Sequence, residues 1–302
     1  MKNRNNHFYL CTLFAILIFL IPSCALKKNP NFSSTAQASL KEQAFSLYKN
    51  AKYKRAIQAW DSYLQKHPEQ VFGYYNRGLC YSKLGESRQA QKDYNQALQI
   101  DPEYLPALIN KGVLLAGMKK YAKSLQSLQT ALEIDPDNPS IAFNIGYVLQ
   151  QKGDYEEAIE HYKHAIEKKD DFIRAYNNRG ITYLNLQNYS SAIADFSKAI
   201  HLSGGKTNYY FNRARAREKL GRVERAISDY TRAIEYETGL IAAYYNRGLL
   251  RIDLGLAQLG CRDLEKACSE GHICSKYNSL KQKGICADKN RTSNNRQKSP
   301  IH

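Results

Sequence analysis

The segment YYNRG occupies residues 74–78 and returns letter for letter at 244–248. The last glycines of the two copies lie 170 residues apart, which is five times 34. Degenerate copies stand between them, as YNNRG at 176–180 and as YFNRA at 210–214. A segment that returns in constant phase indicates a protein built from repeated units, so the period has to be established before any other feature is interpreted.

At a period of 34 the chain divides into seven frames without insertions, and residues of fixed size recur in them. Position 8 is Gly or Ala in every frame, and position 20 is Ala in five of the seven. Position 27 is Ala in six frames, and position 24 is always large. Because two helices approach closely only where side chains are small, the pattern predicts a helical hairpin in each frame. The frames start at Gln37, Val71, Leu105, Pro139, Ile173, Thr207 and Ile241.

This pattern resembles the tetratricopeptide repeat (TPR) family, whose signature places small residues at 8, 20 and 27, aromatic residues at 4, 11, 17 and 24, and proline at 32. The resemblance covers about 37–274. It implies an all-α protein, a right-handed α-solenoid of seven helix-turn-helix modules whose concave face binds peptides or proteins. We expect this solenoid over 39–271 and a C-terminal capping helix over 272–284, since such arrays need a covered end.

Positions 7 and 23 vary together among the frames. Position 7 is Arg in four frames, and position 23 is Asp in the same four and in no other. Because these positions lie on facing helices, we predict a recurring, partly buried ion pair that joins them. The alternative is a row of arginines that binds an anionic ligand, and the Asp that accompanies each arginine argues against it. The predicted pairs are Arg77 with Asp93, Arg179 with Asp195, Arg213 with Asp229 and Arg247 with Asp263.

Positions 2, 5, 9 and 12 of the first helix form a stripe about 130° around the helix from the core-facing positions. In the family that the chain resembles, this groove stripe lines the concave face. Here it is largely apolar and aromatic, as interaction sites often are. The alternative is that its rings pack on adjacent modules and leave little free surface. The predicted partner-binding residues are Phe72, Tyr75, Leu79, Ile109, Val113, Phe143, Tyr147, Ile181, Phe211, Tyr245 and Leu249.

The first 24 residues have the features of an export signal. Lys2 and Arg4 precede an apolar run at 8–21, which is short for a bilayer span of about 20 residues. The following IPSC resembles the lipobox of bacterial lipoproteins, whose cysteine receives lipid. We predict a signal peptide over 1–23, lipidation of Cys24 and a linker over 24–38. An ordinary cleaved signal or an uncleaved anchor is the alternative.

The last frame contains two cysteines where earlier frames have core aliphatics. Cys261 and Cys268 are two helical turns and about 10 Å apart, too far for one disulfide. An oxidising envelope permits nested bridges to the capping segment instead. A zinc site of Cys268, His272, Cys274 and Cys286 is the alternative, without the usual CxxC spacing. The possible bridges are Cys261–Cys286 and Cys268–Cys274.

The net charge of +16 would favour nucleic acid, acidic lipid or an acidic protein as a binding partner. Export from the cytoplasm largely excludes nucleic acid from these partners. The segment 285–302 is polar and basic and is predicted to be disordered. We expect a non-enzymatic scaffold or adaptor without cofactor, metal or small-molecule substrate, because no catalytic constellation occurs. We expect its partners to be peptide or helix segments of other proteins. We expect the protein itself to be at the bacterial outer membrane, facing the periplasm. A structural assembly factor of a secretion, motility or pilus machine is the alternative, and an enzyme is a third class.

Overall fold

The computed structural model describes residues 35–205, 207–270 and 274–286. The predicted signal peptide, Cys24, the linker up to 34 and residues 287–302 lie outside the described residues. The described ranges contain fifteen helices and no strand. These are α1 Thr35–Lys49, α2 Tyr53–Lys66, α3 Val71–Lys83, α4 Ser87–Ile100, α5 Leu105–Gly117, α6 Tyr121–Ile134, α7 Pro139–Lys152, α8 Tyr155–Lys168, α9 Ile173–Asn185, α10 Tyr189–Ser203, α11 Thr207–Lys219, α12 Val223–Tyr236, α13 Ile241–Asp253, α14 Ala257–Ser269 and α15 Ser275–Gln282.

Helices α1 to α14 pack pairwise into seven hairpins, here called modules 1 to 7. In each module the odd-numbered helix is the A helix and the following even-numbered helix is the B helix. Each B helix also packs against the A helix of the next module, so the modules stack in chain order. The predicted all-α solenoid of seven modules with a capping helix is confirmed.

Small residues at the repeated positions allow the helices of one module to touch. The side chains at position 24 are all fully buried, as are the alanines at positions 20 and 27. A Cβ atom placed on Gly180 would lie 2.8 Å from the ring of Phe196 at position 24. The pairing of a small residue at 8 with a large one at 24 therefore determines how closely the A and B helices approach.

One or two residues after each A helix ends, the residue at position 15 has a left-handed backbone. Glycine occupies this position in four modules, for example Gly153 with φ of 102°. In the other three modules Ala51, Lys119 and Gln187 take φ between 55° and 58°, where a side chain is strained. Because the turn geometry is kept without glycine, it is imposed by the packing of the two helices.

Helix α15 closes the C-terminal end of the solenoid. It begins three residues after the predicted start at 272, and Leu280 packs against Leu264 of module 7. Cys286 is buried there as well, so this residue belongs to the packed end and not to the predicted tail. Within the described ranges, no helix combines the length and the hydropathy needed to cross a membrane.

Candidate interaction surface

The A helices lie on the inner side of the solenoid. Neighbouring A helices contact each other, α3 with α5, α5 with α7, α7 with α9 and α9 with α11. The B helices that the structure describes make no comparable contact with one another. A row of hairpins whose first helices touch, while the second helices are spread apart, curves around the first helices. The groove stripe therefore faces the concave side.

None of the eleven predicted partner-binding residues is fully exposed. Leu79 and Phe143 are buried, with 8% and 2% of their surface accessible. The prediction that these two side chains are available to a partner is wrong, because helices of the same and the next module cover them. The other nine present part of their surface, namely Phe72, Tyr75, Ile109, Val113, Tyr147, Ile181, Phe211, Tyr245 and Leu249.

Ring contacts explain why the groove stripe is half-buried. The ring of Phe143 lies 5.1 Å from that of Phe172, the residue that precedes the next A helix. Phe72 packs in the same way, 6.1 Å from Trp60 of module 1. Such contacts fix the rings in place, and they leave the Phe143 ring buried and Phe72 half-buried. The stripe is therefore formed by half-buried aromatic and aliphatic side chains that neighbouring residues hold in place.

Asparagine at position 6 is a feature of this surface that the sequence analysis overlooked. Side chains at this position donate hydrogen bonds across helices: Asn110 to Tyr75 Oη at 3.0 Å, Asn212 to Asn177 Oδ1 and Asn246 to Tyr230 Oη, both at 3.2 Å. Recurrence of one letter in six successive frames was the available signal. These residues are Asn76, Asn110, Asn144, Asn178, Asn212 and Asn246.

The structure brings together all four predicted Arg–Asp pairs, each with two parallel hydrogen bonds. Arg179 donates from Nε to Asp195 Oδ2 at 2.8 Å and from Nη2 to Oδ1 at 2.7 Å. The other three pairs have the same geometry, and all four aspartates are buried. Each arginine also lies over the tyrosine at position 4 of its own helix, as Arg179 does over Tyr176. We call this arrangement the clamp.

In three modules the clamp reaches a third helix. Arg77 Nη1 donates to Asp61 Oδ1 at 2.6 Å, and Asp61 belongs to the B helix of the preceding module. Arg213 and Arg247 donate in the same way to Ser197 and Thr231, both at 3.0 Å. All three acceptors stand at position 25. The clamp therefore ties neighbouring modules together as well as the two helices of one module.

A second arginine reinforces the clamps of modules 6 and 7. Arg217 Nη1 lies 2.7 Å from Asp229 Oδ2, and Arg251 Nη1 lies 2.7 Å from Asp263 Oδ2. Each of these carboxylates thus receives hydrogen bonds from two guanidinium groups. Because these cations are committed to buried acids, they form structural pairs rather than a row facing the groove.

Modules 3 and 4 have no clamp. In module 3 the half-buried Lys111 replaces arginine, burial lowers its pKa, and Ser127 Oγ donates to the Leu108 carbonyl at 3.0 Å. In module 4 a buried Ile145 faces His161, whose pKa burial also lowers. These modules share one large apolar cluster, which extends from Leu108 to Ala175. They are held by aliphatic and aromatic packing instead.

The cysteines at the C-terminal end form two disulfides. Cys261 is bonded to Cys286 with Cα atoms 5.5 Å apart, and Cys268 to Cys274 with Cα atoms 4.8 Å apart. Cys80 stays a free, buried thiol, and burial raises its pKa to about 12. Within 35–205, 207–270 and 274–286, no three His, Cys, Asp or Glu side chains are grouped so as to hold a metal ion.

Arg174 is a cation on the groove stripe outside the clamps. It stands at position 2 of α9, and its Cζ lies 4.6 Å from the centroid of the Phe143 ring. Burial lowers its pKa, and electrostatic interaction with the phenols of Tyr209, Tyr147 and Tyr162 opposes that shift. Among the described residues, no carboxylate lies within salt-bridge distance of Arg174.

Family models described as tetratricopeptide repeat match residues 71–104, 173–204 and 207–238. A further model described as TPR repeat matches 117–153 and 146–187. No curated protein matches the chain.

Solved structures share the architecture at low sequence identity. A tetratricopeptide repeat protein from Parabacteroides merdae is 19% identical, with a TM-score of 0.62 over 82% of this chain and 98% of that one. PilW, described as a type IV pilus biogenesis factor, is 19% identical, with a TM-score of 0.61 over 67% of this chain and 94% of that one. YrrB, described as having an unusual peptide-binding site, is 18% identical, with a TM-score of 0.53 over 63% and 98%.

Proposed function

The chain belongs to the tetratricopeptide repeat family, and from that premise we propose that it is a non-enzymatic scaffold for other proteins. Partner segments, as extended peptides or helices, bind on the concave side formed by the A helices. A lipid on Cys24 anchors the scaffold at a bacterial envelope membrane. We place it at the outer membrane, facing the periplasm, without a nucleic acid or small-molecule partner.

The observation that carries the proposal is the chemistry of the groove stripe in modules 2 to 7. Half-buried rings and aliphatic groups, such as Ile109, Val113 and Ile181, offer apolar contacts that are already rigid. A prearranged apolar surface binds a peptide at a small entropy cost.

The proposed localisation is argued from the N-terminal sequence and from the cysteines. Residues 1–24 have the charge and hydropathy of a lipoprotein signal. Two disulfides suit an oxidising compartment such as the periplasm, since thiols in the cytosol are kept reduced. Replacement of Cys24 by Ser should abolish the incorporation of a labelled fatty acid and shift the protein out of the membrane fraction. Unchanged labelling would contradict lipidation.

Photo-cross-linking in intact cells tests the binding surface. A photoreactive residue placed at Val113 or Tyr147 should capture partner proteins, because these positions lie on the groove stripe. The same residue at Lys92 or Lys163 provides the matched control, since both are exposed on B helices. Equal capture from the B-helix positions, or no capture from the groove, would contradict the proposed surface.

Stoichiometry in the same experiment separates a scaffold from a machine component. A scaffold should yield several partners in substoichiometric amounts. A structural assembly factor of a secretion, motility or pilus machine should instead co-purify in fixed proportion with one assembly. Similarity to PilW concerns the fold alone at 19% identity, so the cross-linked products decide between the two.

A further inference from the structure

Acidic residues are nearly absent from the A helices that line the groove. Helices α3, α5, α7 and α9 contain no Asp or Glu, and α11 contains only Glu218, which accepts a hydrogen bond from Tyr230 Oη at 2.8 Å. The B helices α4, α6, α8, α10 and α12 each carry at least one acid. The A helices of modules 2 to 5 are therefore neutral to basic, whereas every B helix of modules 2 to 6 carries at least one acid.

Within this face Arg174 lies in an environment unlike that of the clamp arginines. Each clamp arginine has a bidentate aspartate, and Arg174 instead lies over the ring of Phe143 between modules 4 and 5. From neighbouring helices, the phenols of Tyr209, Tyr147 and Tyr162 are close enough to interact electrostatically with it. Partial burial without a counter-ion makes a guanidinium less stable, and a carboxylate supplied from outside would restore the lost interaction.

We propose that Arg174 selects partner segments by pairing with an Asp or Glu side chain of the bound peptide. This inference rests on the proposed function, and it adds the chemical class of the partner: an acidic segment with apolar residues beside the acid. The ring of Phe143 holds the guanidinium from one face, so the N–H groups at its edge remain able to bind a carboxylate. The lack of acids on α3, α5, α7 and α9 leaves no competing carboxylate on those helices.

Selection from a random-sequence linear peptide library tests this proposal on the full-length chain in detergent. The wild-type protein should enrich peptides that contain Asp or Glu next to aliphatic or aromatic residues. Affinity of one selected acidic peptide is then measured for Arg174→Gln, which should weaken binding about tenfold. Arg174→Lys keeps the charge and should retain part of the affinity. Arg225→Gln removes an exposed arginine from α12 and should leave the affinity unchanged.

The outcomes separate this proposal from the proposed function. Enrichment of groove-binding peptides without acids, or equal affinity of wild type and Arg174→Gln for the acidic peptide, overturns the role of Arg174 and leaves the scaffold intact. Failure of the wild type to select any peptide overturns both the role of Arg174 and the proposed scaffold function. A salt titration of wild-type binding needs no variant, because added salt weakens a charge pair. Affinity independent of salt would also overturn the role of Arg174.

Discussion

Modules 4 and 5 are neighbours in one solenoid, yet they join their two helices by opposite chemistry. Module 4 places the buried Ile145 opposite His161, and module 5 places Arg179 in a bidentate pair with Asp195. The helices nevertheless pack in the same way, with a glycine at position 8 against a large ring at position 24. The repeat thus requires the close approach of the helices, and positions 7 and 23 accept either a charged pair or apolar groups.

The difference between the two modules extends to their neighbours. Modules 3 and 4 contribute most of one continuous apolar cluster, whereas modules 6 and 7 each place an arginine on the preceding B helix. Hydrogen bonds of this kind require one geometry, and apolar packing tolerates small shifts. We infer that the clamps define the register between modules more strictly than the apolar contacts do.

The largest expected effect comes from removal of one clamp acid. Asp229→Ala leaves the guanidinium groups of Arg213 and Arg217 without their buried carboxylate, so the free energy of unfolding should fall by about 3–5 kcal/mol. Urea denaturation followed by circular dichroism measures this change. Asp253→Ala, at an exposed acid in the next module, is the control and should change stability by less than about 0.5 kcal/mol. Equal effects of the two variants would contradict a structural role for the clamp.

A smaller loss is expected when the close approach of the helices is blocked in either module. Gly146→Ala and Gly180→Ala place a Cβ 2.9 Å and 2.8 Å from the rings of Tyr162 and Phe196. Both should lower the free energy of unfolding by about 1–3 kcal/mol, whatever the chemistry at positions 7 and 23. Gly117→Ala, whose Cβ meets no atom within 4 Å, should not destabilise. Loss of stability in Gly180→Ala but not in Gly146→Ala would contradict the prediction that both modules depend on the same close approach of their helices.

The turns of the two modules predict changes of opposite sign. Gly153 of module 4 has φ of 102°, so Gly153→Ala should destabilise by about 1 kcal/mol or more. Gln187 of module 5 has φ of 58°, so Gln187→Gly should stabilise by about 0.5–1 kcal/mol. Thermal unfolding of both variants gives the signs, and a loss for Gln187→Gly would mean that its side chain contributes more than the backbone strain costs.

The smallest net change is expected when module 5 is given apolar groups. Arg179→Met combined with Asp195→Leu should stay within about 1 kcal/mol of wild type, because well-packed apolar residues can replace a buried ion pair. The single variant Asp195→Leu leaves Arg179 without its carboxylate and serves as the comparison. Urea unfolding of both variants separates them, and an equal loss in the double variant would show that module 5 requires its ion pair.

The fold could be predicted from the sequence because the close contacts depend on small residues that recur at a fixed period. Pairing of Arg179 with Asp195 was also visible, since their positions vary together among the frames. Their link to a third helix was not, because the acceptor at position 25 is Asp61 in one module and Ser197 or Thr231 in others.

Availability of the groove residues could not be judged from one position at a time. Phe143 lies on the predicted stripe, but Phe172 and Arg174 of the following segment cover it. Burial of a stripe residue thus depends on the particular side chains of the next module, which the period does not specify. The asparagines at position 6 were visible in the sequence, and their role became clear only from their partners across helices.

The two disulfides make the C-terminal end of the solenoid more resistant to local unfolding than the N-terminal end. Modules of a solenoid contact only their neighbours, so the array frays from its ends. Cys261–Cys286 and Cys268–Cys274 prevent the last helices from peeling away, and the described part of module 1 has no such covalent bond. We therefore expect module 1 to open more readily than module 7, and limited proteolysis to cut the described N-terminal modules first.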